Sequence, residues 1–325
     1  MKPDSVFLIT TAHDTPARPW HTANLDRVKR AASAYRGDDF RVADSPESAD
    51  FLLFVDSDEP FLGDVMRSPL YRRFVERSFV HNVSDAAIPV VAGMYPDLEG
   101  PLRRPELQLG AFYLRSFDNK ALSVPPPDRR EPKWLFSFVG NVNTSPAVRG
   151  RILALQHSRG FLLNRSSGLR DDDLDFVETL RNSKFVICPK GLGPTSWRFY
   201  ETMMAGRAPV IVSDLWVPAR DIDWPSFSIH VPERDVESIP AICETNESRA
   251  AAMGQRAREE WERNCSLENA FGWIGRRLRE LREARDARSL RLNREMLREL
   301  RFHGQVAKYA RWRTGKLLRD LRLRR

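Results

Sequence analysis

The chain has 325 residues, 42% of them hydrophobic, which at about 100–200 residues per domain predicts two domains with ordinary packed cores and excludes a fibrous or wholly disordered protein. No stretch approaches the roughly 18 uninterrupted apolar residues of a membrane span, and Met1-Lys2-Pro3-Asp4 leads straight into a strand-like run without a secretory apolar region, so a cytoplasmic location is expected. The net charge of +8 is concentrated: residues 276–325 hold 18 Lys and Arg against 6 Asp and Glu, which leaves −4 for everything before them. The basic character therefore belongs to a terminal segment suited to polyanions, while the body is mildly acidic. Cys188, Cys243 and Cys265 are far apart and lack CxxC spacing, which excludes a disulfide scaffold and gives no zinc site.

In the first part of the chain, residues 5–10 and 50–55 are short apolar runs bounded by polar turn residues, the pattern of buried strands. Each is followed by acids: His13-Asp14 after the first, Asp56-Ser57-Asp58-Glu59 after the second. Residues 71–77 have helical spacing, and 79–81 start another strand that leads into Asn82-Val83-Ser84-Asp85. Strands alternating with helical spacers predict a parallel sheet, whose ligands meet the loops at the carboxyl ends of the strands. Three consecutive prolines, Pro125 to Pro127, remove three backbone donors and cannot continue a helix or a central strand. They mark a linker over 125–132 between a first domain, 1–124, and a second, 133–275.

The alternation restarts after the linker. Residues 134–139 read as a strand, and a helix is predicted from Ser145 with Pro146 at its first position, Gly160 just past its end, and Val148, Ile152 and Leu155 as its buried stripe. Strands over 184–188 and 208–213 flank a loop, Pro189-Lys190-Gly191-Leu192-Gly193-Pro194, and a helix over about 196–205. A strand over 227–231 and a helix near 236–244 complete a second Rossmann-like unit.

The 189–195 loop combines glycines, which allow close backbone approach, with a following helix whose free N–H groups and dipole favour an anion. Arg198 and Glu201, three apart, project from one face of that helix. Alone, such a pair reads as a surface ion pair worth a few tenths of a kcal/mol. However, a cation in the first turn opposes the helix dipole, so Arg198 is costly there unless something negative lies in front of it. Arg149 poses the same question one strand earlier, leaning toward the Gly140-Asn141 loop. Together with Lys190, Gly191 and Ser196, these arginines form a candidate diphosphate site that needs no metal, with Glu201 placed to accept hydrogen bonds from ribose hydroxyls. A Walker A loop and a GxGxxG fingerprint are both missing, which argues against an ATPase or a dinucleotide dehydrogenase.

The stretches 135–140, Arg149, 183–191, 196–201 and 205–214, with Asp223-Trp224, resemble the exostosin-type glycosyltransferases, particularly the smaller bacterial members. The resemblance is strong over about 134–260, looser over 49–58 and 79–95, and ends before about 276. It implies a GT-B architecture, two Rossmann-like α/β domains facing a cleft, with a nucleotide-sugar donor, expected to be a UDP-sugar, on the second. It also implies an inverting transfer with no bound metal or other cofactor. The family often has Arg where Lys190 stands, a departure that removes a bidentate phosphate grip.

Inversion requires a base across the cleft from the leaving diphosphate. Asp14, Asp56, Asp58, Asp85 and His81 lie at strand ends of the first domain, and Asp58 and Asp85 are the preferred candidates. The tail, 276–325, mixes leucines with arginines and then repeats Phe302, Val306, Tyr309 and Trp312 at helical spacing. It reads either as a helix packing on the body or on a second copy of the chain, or as an attachment to an anionic membrane face. No nucleic-acid reading motif is present. The sequence thus predicts a glycosyltransferase acting on a cell-surface or lipid-linked glycan. Its rival is a non-catalytic polyanion-binding module that works through the basic tail.

Overall fold

The computed structural model describes residues 2–13, 22–57, 62–84, 88–123, 131–165, 174–284 and Thr314. Six strands, β1 (Asp4–Ile9), β2 (Phe40–Val42), β3 (Phe51–Val55), β4 (Ser78–His81), β5 (Gly93–Tyr95) and β6 (Gln108–Gly110), pair in the order β2-β1-β3-β4-β5-β6. Five more, β7 (Trp134–Gly140), β8 (Gly160–Asn164), β9 (Ser183–Pro189), β10 (Ala208–Val212) and β11 (Ile229–His230), pair in the order β11-β10-β9-β7-β8. Every pairing in both sheets is parallel. Two parallel-sheet α/β domains in succession are what the sequence predicts.

Parallel strands covered on both faces read as continuous apolar runs, and β3 (FLLFV) and β10 (APVIV) are buried at every position. In the second sheet successive residues point to different cores. Phe185, Ile187, Val210 and Val212 join Phe136, Val148 and Ile152 on one face, while Val186, Cys188 and Ile211 join Phe199, Tyr200 and Met203 on the other. The latter core is continuous with that of the first domain.

Several elements differ from expectation. The helix predicted from Ser145 to before Gly160 ends at Leu153, and Gly160 opens β8 instead. The backbone turns there, with Gly160 N donating to His157 O at 3.1 Å, and the apolar run 161–163 goes to pairing with β7. Residues 71–77 split into a short helix, Pro69–Arg73, and a 3-10 turn, Val75–Arg77. Phe227 ends a short helix, Trp224–Phe227, so that strand shrinks to Ile229–His230.

The helix Ala270–Ala284 runs through the expected boundary at 275/276 and lies on the first domain. Its Trp273 packs on Phe112 at 4.8 Å between ring centroids. Arg279 pairs with Asp4 and stacks on Phe40 at 4.2 Å, and Arg282 stacks on Phe51 at 4.4 Å. The start of the basic segment is thus held by acids and rings of the body. The stripe Phe302, Val306, Tyr309 and Trp312, like linker residues 125–130, lies outside the described residues. Among the described residues no helix is long and apolar enough to cross a membrane.

The domains also meet along a seam away from the linker. Gly100 N donates to Leu215 O at 2.8 Å, Tyr200 OH donates to Ala111 O at 3.0 Å, and single bridges join Glu99 to Trp216 and Gly110 to Ala219. Gly110 is required by this approach, since a Cβ there would come within 2.4 Å of Val217 O.

Candidate active site

The carboxyl ends of β7 and β9 and the amino ends of two helices, Pro146–Leu153 and Trp197–Met204, converge on a cavity of about 250 Å³. Gly140, Asn141, Arg149, Gly191, Ser196, Arg198 and Glu201 line it, joined by Thr144, Phe176, Leu192, Thr195, Trp197 and, from the first domain, Tyr113. Of the eight residues the sequence assigned to binding, only Lys190 is not brought in. Its ammonium pairs with Glu233 at 3.0 Å, and its part in the site is the backbone carbonyl, which accepts from Arg149 Nε at 3.0 Å.

Arg149 is 8% exposed. Its Nη1 donates to Asn141 O at 2.9 Å, and Phe138 lies under it at 5.7 Å. Both interactions hold the guanidinium against the end of β7 without supplying a negative charge. No carboxylate among the described residues pairs with it. Burial, and next the nearby charge of Arg198, push its pKa down to about 10.

Arg198 is placed by the cap of its helix, where Ser196 Oγ accepts from Arg198 N at 3.3 Å. Its Nη1 donates to Val139 O at 2.6 Å, and its guanidinium lies over Phe176 at 4.4 Å. Glu201 is also buried and stands 3.4 Å from Arg198 Nε. The Arg198–Glu201 pair is therefore in the cavity wall and not on an open surface. Among the described residues Glu201 pairs with Arg198 and no carboxylate pairs with Arg149, which leaves positive charge uncompensated in a buried place. Such charge is costly unless a ligand compensates it.

The glycines serve different ends. A Cβ at Gly140 would come within 2.9 Å of the Phe138 ring, so that position is needed by the fold. At Gly191 a Cβ would meet only ordinary contacts, Thr195 O at 3.4 Å and Arg149 Nη2 at 3.8 Å, and its φ is not positive. What a side chain would take there is room beside the guanidinium. Cys188, directly beneath, is inert: its thiol lies 3.3 Å from Thr202 Oγ1, and burial pushes its pKa up to about 12.

Of the first-domain acids and bases, Asp14, Asp58 and Asp85 lie outside the described residues. Asp56 is committed to capping the helix Ala23–Ala34: its carboxylate accepts from Asn24 N at 2.9 Å, Asn24 Nδ2 at 2.8 Å and Leu25 N at 3.0 Å. Burial nonetheless holds its pKa above the ordinary value against those bonds. His81 is buried with no hydrogen-bond partner on either ring nitrogen, and burial pushes its pKa down to about 4. Among the described residues no three His, Cys, Asp or Glu side chains gather as a metal site.

Sequence reasoning missed six lining residues, Tyr113, Thr144, Phe176, Leu192, Thr195 and Trp197. Tyr113 sits in the apolar run 109–114 and Thr195 in a glycine-proline loop, and neither context marks a ligand-facing residue.

The fold and this cavity define a two-domain α/β protein with a cationic cleft site on its second domain. The chain belongs to the Exostosin GT47 domain family, whose model matches residues 73–245. It is 39% identical over 90 residues to the Exostosin-1 homolog of Caenorhabditis elegans, covering 27% of this chain and 24% of that protein. It is 28% identical over 134 residues to a probable glucuronoxylan glucuronosyltransferase of Arabidopsis thaliana, covering 38% of this chain and 28% of that one. The chain thus matches only about a quarter of the length of these relatives. Among solved structures it is similar to Anabaena Alr3699/HepE in complex with UDP and glucose, at TM-score 0.46 and 9% identity over 85% of this chain and 99% of that one, a likeness too weak to bear on the site.

Proposed function

We propose that the protein is a glycosyltransferase that moves a sugar from a nucleotide diphosphate donor, a UDP-sugar, to a hydroxyl of a glycan acceptor, with inversion and without a metal. The observation that carries this reading is Arg149: a buried guanidinium that, among the described residues, has two backbone carbonyls and no carboxylate for partners, and that lines one cavity with Arg198. A diphosphate there would receive charge-assisted hydrogen bonds from both arginines, and Glu201 would accept from the ribose hydroxyls. Membership of the Exostosin GT47 domain family supports sugar transfer, as does the glucuronosyltransferase name of the Arabidopsis relative.

In the transfer, the acceptor oxygen forms a bond to the anomeric carbon as the bond from that carbon to the diphosphate oxygen breaks. The electron pair leaves with the diphosphate. Negative charge develops where Arg149 and Arg198 point, and preorganised cations at that place lower the barrier by several kcal/mol. The two arginines supply the charge that Mg²⁺ provides elsewhere. In this reading the acceptor proton goes to a carboxylate of the first domain, Asp58 or Asp85, which follow β3 and β4 in the sequence.

Calorimetric titration with UDP, GDP, ADP, CDP and inorganic pyrophosphate tests the donor site. Saturable binding of UDP and pyrophosphate in the presence of EDTA is expected. A flat response to all five would overturn the reading.

A further inference from the structure

The cavity is not finished by its own domain. Its glycine loop is pinned on one side within the second domain, where Ser213 Oγ donates to Pro194 O at 2.6 Å, and on the other side by the first. Thr195 N donates to Asp97 Oδ1 at 3.0 Å, and Thr195 Oγ1 donates to Pro96 O at 2.6 Å. Asp97 is 3% exposed, Thr195 2%, and the other carboxylate oxygen of Asp97 accepts from Tyr113 OH.

Thr195 in turn sets both ends of the anion cradle. Its carbonyl shares Gly191 N, at 3.2 Å, with Gly193 O at 3.0 Å, and it immediately precedes Ser196, which caps the helix carrying Arg198 and Glu201. That helix leans on the first domain as well. Trp197 meets Tyr113 edge-on at 6.0 Å, and Tyr200 is bonded to Ala111.

We propose that Asp97 is a positioning residue for the donor site: through Thr195 it makes the anion cradle complete only when the two domains are docked. The proposal rests on the diphosphate reading of the cavity. By linkage, whatever the docked seam contributes to anion binding, the bound anion returns to the seam. A buried carboxylate is suited to this role, because its bond to a backbone N–H is charge-assisted and no water can replace it. The carboxamide of Asn offers the same acceptor atom, while Ala offers none.

The test uses the full chain with inorganic pyrophosphate as probe. Asp97→Ala should melt cooperatively yet bind pyrophosphate at least tenfold more weakly, whereas Asp97→Asn should stay within threefold of wild type. In wild type, pyrophosphate should slow amide hydrogen exchange over 96–113, and this slowing should be lost in Asp97→Ala. A purely structural role would lower the melting temperature but leave the affinity of the folded protein and this exchange response unmoved. Should Asp97→Ala fail to fold, Thr195→Val carries the test. It is isosteric and lacks only the bond to Pro96, and a threefold or greater loss supports the proposal. A folded Asp97→Ala or Thr195→Val with wild-type affinity, or no exchange response in wild type, overturns it. If wild type itself binds no pyrophosphate, the failure belongs to the donor reading.

Discussion

Replacing Arg149 with Met should move stability and binding in opposite directions. In the folded protein the guanidinium is pushed from its ordinary 12.5 to about 10 by burial and by Arg198, which at 1.36 kcal/mol per pKa unit disfavours its charged form by about 3 kcal/mol. Methionine keeps the length of the side chain and removes that charge. It also removes the hydrogen bonds to Asn141 O and Lys190 O, a loss of about 1 kcal/mol each. The balance is about 1 kcal/mol in favour of the variant, or roughly 2–4 °C in melting temperature for a domain of this size. Both folded and unfolded guanidinium groups stay protonated between pH 5 and 9, so the difference should be constant over that range. Binding should go the other way. Losing charge-assisted hydrogen bonds of about 1.5–3 kcal/mol lowers pyrophosphate affinity roughly ten- to hundredfold. Differential scanning calorimetry with and without pyrophosphate reads both effects. At a hundred times its dissociation constant, pyrophosphate adds about 2.7 kcal/mol to wild type and should add far less to the variant. An Arg149→Met protein that melts below wild type without ligand, or gains as much from pyrophosphate, would refute the assignment of Arg149 as a strained anion ligand.

Gly191→Ala should fold normally, since its Cβ meets nothing closer than 3.4 Å, yet bind pyrophosphate at least tenfold more weakly. Unaltered affinity would mean the diphosphate does not pass beside Arg149 Nη2. Arg198→Ala should lose at least tenfold in kcat/KM, about 1.4 kcal/mol, with the fold intact, and near-wild-type turnover would reduce Arg198 to a structural ion pair. His81→Leu should raise resistance to acid. With a folded pKa of about 4 against 6.5 unfolded, the wild-type histidine contributes its full stability above pH 6.5 and loses about 3 kcal/mol as pH falls toward 4. The variant's stability should therefore exceed wild type's increasingly between pH 6.5 and 4, and parallel acid-unfolding curves would contradict this. Turnover should survive excess EDTA, and loss of activity restored by Mn²⁺ would place a metal at the diphosphate.

The legible parts of this protein were those where one local pattern settles one structure. β3 and β10 are short, wholly apolar and bounded by turns, and β9 is apolar from Phe185 onward, so their position and burial could be read directly. The three-residue strands β2, β5 and β6 could not, because so few residues show no period of their own and exist as strands only by pairing with longer neighbours. The site divides in the same way. Arg149, Arg198, Glu201 and Gly191 stood out because a cation in a first helical turn, or a glycine before one, conflicts with local energetics and calls for a ligand. Lys190 was assigned to the site as a third positive charge in the loop, but its ammonium pairs with Glu233, a partner 43 residues away that no local pattern announces. Asp97 and Tyr113 were illegible for a stronger reason. Their significance arises only from the docking of one domain on the other, where a carboxylate in an ordinary Pro-Asp turn becomes the buried acceptor for a backbone N–H 98 residues away. A binding site assembled across a seam therefore shows in sequence only the half whose charges are locally uncompensated, and the residues that hold that half in place must be sought in the contacts between the domains.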